Sequence, residues 1–428
     1  MNVLVVERTF PWPETSGTRI RVSNIVRALS ELGEVDFFLL AHSGTAQTSG
    51  VPADAPVARF GSAPPAPRTH PNLRPRARQL RWLVRDSVPF AVAMRDHSVV
   101  RSAFRAWCRP RYDIAWIGRP HSYFALGDAL TGTPTIVDYD DLEGHKIDTW
   151  LGVAVDAQRL SRSDRRSAPV PIIRRWGAKV FNRANSQRWR ALEHRIAGSV
   201  AAVTVCSELD RQRLGVPNAV VLPNGYPSPR RPLGRVELRH PMTILLVGAL
   251  CYAPNVDAAR FLVGEVLPRV RDRLPQTCVR LVGEFDDRVE DLRTSPGVTL
   301  TGPVPDMEAE LARADIVAVP IRFGSGTRVK ILEAFAHRIP VVSTGLGCEG
   351  LGVSHGQHLL VADDADRFAA ACVSLCEDIE LRSRLVDEAH RLYRNAYRWE
   401  VISPRVVELA RTVAGGEETR RLAVSRET

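Results

Sequence analysis

Short runs rich in Val, Ile and Leu alternate with amphipathic stretches along almost the whole chain, and this alternation restricts the fold more than any other feature. Candidate strands are NVLVVE (2–7), EVDFFLLA (34–41), DIAWIG (113–118), TIVDYD (135–140), AAVTVC (201–206) and VVLP (220–223). A second series follows: TILLVG (243–248), CVRLVGE (278–284), VTLTG (298–302), IVAVPI (316–321), IPVVST (339–344) and HLLVA (358–362). Helical patterns lie between them, as in TRIRVSNIVRALSEL (18–32), AARFLVGEVLPRVRDRL (258–274) and DADRFAAACVSLCED (364–378). Continuous apolar strands separated by helices predict parallel sheets covered on both faces. At 428 residues the chain exceeds one ordinary core, so two doubly wound α/β domains are expected.

The series breaks at PNGYPSPRRPLGR (223–235), too rich in Pro and Gly to continue a sheet and therefore read as the linker. Residues 43–78, rich in Ser, Ala and Pro, read as a long loop, and 151–195 as a basic helical insertion.

Composition excludes several classes. A chain that is 44% hydrophobic and 25% charged is globular, and no apolar run nears the roughly 18 residues needed to cross a bilayer. MNVLVVE lacks a basic region before its apolar run and reads as a strand rather than a signal peptide, which implies a cytoplasmic protein. The seven cysteines are scattered, with no CxxC and no nearby His cluster, as expected for core residues in a reducing compartment without structural zinc. The net charge of +10 is concentrated in Arg-rich runs at 76–111 and 159–195. These are solvated faces or surfaces that attract an anionic substrate, a membrane or nucleic acid.

The segment FGSGTRVKILEAFAH (323–337) carries the sharpest chemical signal. A helix N-terminus is already partially positive, yet Arg328 and Lys330 stand in its first turn, where a capping box would place Glu or Gln. An external anion such as a diphosphate would remove that penalty, held by free amides of the turn, Arg328 and Lys330. Glu333, i+3 from Lys330 in an apolar setting, either pairs with Lys330 or accepts hydrogen bonds from the vicinal hydroxyls of a ribose. Gly248, Gly283, Gly302, Gly324 and Gly326 at strand ends either make turns or let a nucleotide approach the backbone.

Taken together, VGALCYAPNVDAARFL (247–262), VRLVGE (279–284), residues 298–344 and CEGL (348–351) resemble the retaining GT-B glycosyltransferases of family 4, or group 1. Weaker matches are ERTFPWPETSGTRIRVSNIVRAL (7–29), VCSELD (205–210) and LPNG (222–225). The resemblance implies a Rossmann-like acceptor domain at 1–225, a Rossmann-like donor domain at 226–396, a helix at about 397–413 returning to the first domain, and a disordered tail at 414–428. It implies a hexosyltransferase-type enzyme with a nucleotide sugar as co-substrate. Glu333 would bind the ribose, and Arg328 and Lys330 would neutralise the diphosphate. Gly248, Gly324, Ser325, Gly326 and Thr327 would line the nucleotide site, and Gly17 would let the first-domain loop approach. Asp140 stands where the family's usual histidine is expected near the reacting sugar, and His121 is a second candidate. The sequence departs from the family in having Ser325 in place of the first glutamate of Glu-x7-Glu, and no basic pair after the first strand of the second domain.

These expectations describe metal-independent transfer with retained anomeric configuration and no cofactor. Two other readings remain open: a hydrolysing sugar-nucleotide epimerase, and a catalytically silent binding protein. No zinc finger, RRM or KH pattern supports nucleic acid as partner. The basic excess of the first half suits a lipid-linked, polysaccharide or phosphorylated small-molecule acceptor, with peripheral contact at the inner face of the membrane.

Overall fold

The computed structural model describes residues 1–41, 50–150, 172–231, 241–326 and 328–416. It divides into two compact units, Met1–Pro223 with Ile402–Thr428, and Asn224–Val401.

The first unit is built on a parallel sheet of seven strands: β1 (Asn2–Glu7), β2 (Glu34–Leu40), β3 (Arg59–Ala63), β4 (Ile114–Gly118), β5 (Thr135–Tyr139), β6 (Ala202–Val205) and β7 (Ala219–Val221). Their spatial order is β3-β2-β1-β4-β5-β6-β7, with Val3 in register with both Val35 and Ile114. Strand order therefore reverses between β1 and β4, and the carboxyl ends there form the crevice where such sheets bind ligands. The helix Gly17–Ser30, capped by Ser16, makes the β1–β2 crossover.

Two elements correct the reading of residues 43–78 as one long loop: β3 falls inside it, and the helix Pro75–Arg85 begins there. RFGSA has no apolar run to reveal it. It is an edge strand, held on one side by its ladder with β2. Of the basic insertion, a helix spans Ile172–Ala197, whereas 151–171 lie outside the described residues.

The second unit has six parallel strands: β8 (Thr243–Val247), β9 (Cys278–Val282), β10 (Val298–Thr301), β11 (Ile316–Val319), β12 (Val341–Ser343) and β13 (Leu360–Val361), in the order β10-β9-β8-β11-β12-β13. β8, β9, β11 and β12 supply the centre of its core, which continues into Ile331, Leu332 and Phe335 of the helix Val329–Ala336. The amphipathic stretch 258–274 contains a π turn at Leu262–Val266, between helices Ala253–Phe261 and Leu267–Arg271. Pro268 has no N–H to return to the preceding turn, and the ladder slips there.

Part of the stretch read as linker belongs to the second unit. Tyr226 donates its backbone N–H to the Tyr397 carbonyl at 2.9 Å and forms a bridge with Arg398, while 232–240 lie outside the described residues. A final helix spans Trp399–Ala414, and 417–428 are not described. No helix among the described residues is long and apolar enough to cross a membrane.

Candidate functional site

In the second unit the site forms where β8 and β11 run into their following loops. β8 ends at Gly248, whose φ of 148° belongs to glycine. A Cβ there would lie 2.9 Å from Lys330 Nζ and 2.8 Å from Asn255 Nδ2, so a bare backbone is needed at this position. Lys330 donates from Nζ to Asn255 Oδ1 at 3.0 Å, and Asn255 is itself fixed by donating from Nδ2 to the Ala249 carbonyl at 2.9 Å.

The loop after β11 passes through Gly324, with φ of 105°, and buried Ser325 to Arg328, whose guanidinium turns back to donate to the Ser325 carbonyl. Gly324 lies against that guanidinium, since a Cβ would be 3.3 Å from Nη2. Thr327 lies outside the described residues. The helix Val329–Ala336 then starts with no side-chain cap and no acidic residue in its first turn. The turn retains its partial positive charge, reinforced by two basic side chains.

Glu333 does not pair with Lys330: among the described residues neither has an ion-pair partner within 4 Å, and Glu333 Oε1 instead accepts from the Tyr226 hydroxyl at 2.9 Å. Both side chains are half-buried on the same helix. Burial, with Arg328 nearby, lowers Lys330 from the usual 10.5 to about 7. Burial raises Glu333 from 4.5 to about 7, against the Tyr226 hydrogen bond and the Lys330 charge. Among the described residues neither charge has a counter-ion within 4 Å, so each is available to a ligand at a high desolvation cost.

Gly17, Asp140 and His121 belong to the first unit. Gly17 is the first residue of its helix, next to the capping Ser16. Asp140, just beyond β5, accepts from Arg119 at 3.1 Å, and Arg119 also lies 3.7 Å from Glu143. His121 packs its ring 4.3 Å from Trp189, and its buried Nδ1 has no hydrogen-bond partner. Burial, together with Arg8 and Arg119, drives His121 well below its ordinary value, so the ring is neutral near pH 7.

Several members of these constellations were not foreseen. Tyr226 and Asn255 carry no signal in the sequence beyond standing near Pro and Gly. The Arg21–Asp138 pair was detectable, because Asp138 lies inside an apolar strand and a charge there requires a partner. Arg21 Nε and Nη2 donate to its two carboxylate oxygens at 2.8 and 2.6 Å, Thr204 donates to Oδ1 at 2.5 Å, and Arg21 Nη1 reaches the Leu222 carbonyl at 3.1 Å. Beside them Glu7 is 4% exposed, and burial plus the Asp138 charge push its carboxyl up to about 8. Among the described residues no group of three or more His, Cys, Asp or Glu is placed to hold a metal ion.

Residues 241–378 match the family described as Glycosyl transferases group 1. Over 239 residues the chain is 28% identical to a phosphatidyl-myo-inositol mannosyltransferase of Mycolicibacterium smegmatis, an alignment covering 53% of this chain and 60% of that protein. Among solved structures, sucrose-phosphate synthase of Thermosynechococcus elongatus superposes with a TM-score of 0.67 at 16% identity, covering 97% of this chain and all of the other. Anabaena HepE, in complex with UDP-glucose, gives 0.55 at 14% identity, with 96% and 99% covered. These structural likenesses establish the two-sheet fold.

Proposed function

We propose, from the match of residues 241–378 to the group 1 glycosyltransferases and from the GT-B fold, that the chain moves a sugar from a nucleoside diphosphate sugar to an acceptor hydroxyl. The observation that carries this reading is Lys330, held against the bare backbone of Gly248 by a neutral amide rather than a carboxylate. A cation so placed, at an uncapped helix start, is suited to a diphosphate. Glu333, one turn on and steadied by Tyr226, is suited to ribose hydroxyls. That HepE was solved with UDP-glucose supports a nucleotide sugar as donor here.

In the proposed reaction the bond from the anomeric carbon to the diphosphate oxygen breaks, and the electron pair leaves with the diphosphate. The acceptor oxygen bonds to that carbon, and its proton passes to a departing phosphate oxygen. Charge builds on the diphosphate, where the first-turn amides, Lys330 and a reoriented Arg328 stabilise it. Removing one such preorganised donor costs about 3 kcal/mol of barrier. These groups take the role of a divalent ion, and transfer is metal-independent, hexosyl and retaining. In the first unit, His121 is better suited than Asp140 to accept a hydrogen bond from a substrate hydroxyl, because Asp140 is engaged by Arg119.

Calorimetric titration of UDP, GDP, ADP and dTDP into the wild type and Glu333→Ala tests the donor site. The expected result is micromolar binding of one nucleotide, lost in the variant. No binding of any of the four would sink the proposal.

A further inference from the structure

The first unit contains a cavity of about 430 Å³ at the carboxyl ends of β1, β2 and β4, within the size range of small-molecule sites. Its lining separates into two kinds of surface. Arg8, Arg68, Arg78 and Arg95, with His97 and His121, supply the basic part, and no Asp or Glu lines it. Leu40, Phe90, Val92, Met94 and Val100 supply an apolar wall.

Among the described residues the guanidinium groups of Arg8, Arg68 and Arg78 make no ion pair or hydrogen bond, and that of Arg95 donates only to the Ala66 carbonyl, at 2.9 Å. Elsewhere in the unit arginines do find acids: Arg109 reaches both Glu34 and Asp36, and Arg119 reaches Asp140. Half-buried Arg8 is held below its ordinary value by burial and by the charges of Arg119 and Arg95, and His97 and His121 are lowered by burial and by Arg8 among others. Arg8, Arg78 and Arg95 are half-buried and Arg68 is exposed; cations gathered at one cavity beside an apolar wall repel one another, and a bound anion would relieve that repulsion. Guanidinium groups also suit the planar, forked recognition of phosphate or carboxylate oxygens.

We propose that this cavity binds a phosphate-headed amphiphile, with the anionic group on the arginines and an apolar portion along Phe90, Val92 and Met94, and that this ligand is the acceptor of the transfer. The word acceptor rests on the transferase reading; the binding itself does not. The phosphate can come from a lipid headgroup or from a dissolved phosphorylated compound.

The test is calorimetric titration of octyl phosphate, below its micelle concentration, into the full chain, with inorganic phosphate and octyl glucoside in parallel. Octyl phosphate should bind at least ten-fold more tightly than either control, because each control lacks one half of the complementarity. The double variant Arg68→Gln/Arg78→Gln should lose at least ten-fold, while Arg105→Gln, exposed and outside the cavity, should stay within two-fold of wild type. Equal binding of octyl glucoside, equal losses in both variants, or no binding of octyl phosphate would overturn the proposal. UDP, GDP, ADP and dTDP titrated into the same preparations separate the two readings. Nucleotide binding (UDP, GDP, ADP or dTDP) without octyl phosphate binding refutes the cavity alone, and octyl phosphate binding with none of the four nucleotides bound refutes the transferase reading while keeping the site. Cosedimentation with phosphatidic acid vesicles, weakened in the double variant, would identify a lipid source. Octyl phosphate binding without cosedimentation would identify a dissolved one.

Discussion

Replacing Lys330 by Met should make the protein more stable and less able to bind nucleotide, with a pH dependence that identifies the cause. Lys330 titrates at about 7 in the fold against 10.5 ordinarily, so between those values the unfolded chain binds the extra proton. The folded state is destabilised most below pH 7, and the penalty fades as pH rises toward 10.5. At pH 7 the shift corresponds to about 4 kcal/mol at 1.36 kcal/mol per unit, and halving for partial exposure leaves about 2 kcal/mol. The same arithmetic at pH 10 leaves under about 0.5 kcal/mol. Met keeps the aliphatic stem and removes the charge, so Lys330→Met should gain about 2 kcal/mol at pH 7, or about 4–8 °C in Tm for a domain of this size. Thermal denaturation of both proteins at pH 7 and 10, with and without UDP, measures the gap. In the wild type, UDP should narrow it by stabilising the charged form. A variant less stable than wild type at pH 7, or a gap that does not shrink by pH 10, would refute the reasoning.

The remaining perturbations examine separate parts of the molecule. Tyr226→Phe deletes one hydrogen bond to Glu333 and should weaken UDP about five-fold by calorimetry, a smaller loss than Glu333→Ala, because the carboxylate remains. Gly248→Ala, strained at φ 148° and driven into Lys330, should lose UDP affinity more than ten-fold while its far-UV circular dichroism stays native. Asp138→Ala strands Arg21, only 1% exposed, and should cost about 3–5 kcal/mol in urea denaturation. Dialysis against EDTA should leave sugar transfer within two-fold of its starting rate, and a loss restored by Mg²⁺ would contradict metal-independent transfer.

The parallel sheets were legible because both are built from continuous apolar runs, and each of the twelve runs read as a strand coincides with one. β3 escaped because RFGSA is an edge strand, recognised only by its backbone ladder to β2. At the candidate site the helix Val329–Ala336, with Arg328 and Lys330 at its start, followed from the conflict between basic residues and a helix N-terminus. Whether Glu333 answers to Lys330 or to something else did not follow, since i,i+3 spacing allows either. Tyr226 decides it from more than a hundred residues away, a contact that no local pattern contains.

The contrast between the two kinds of buried charge also sorts structural residues from those left for ligands. Arg21 and Asp138 are deeply buried, yet every strong electrostatic demand is met inside the protein: two parallel N–H donations to the carboxylate, a Thr204 hydroxyl, and backbone carbonyls for the rest of the guanidinium. A charge so completely answered has little to offer a substrate, and its role is to join the helix Gly17–Ser30 to the end of β5. Among the described residues Lys330 has only a side-chain amide as hydrogen-bond partner, Glu333 only a phenol, and the guanidinium groups of the cavity arginines a single backbone carbonyl. Desolvating a charge without its counter-ion lowers stability, so such groups persist where a ligand supplies the missing partner. By that criterion the two proposed anion sites are the places, among the described residues, where Lys330 and the cavity arginines stand at sheet ends with no carboxylate within 4 Å.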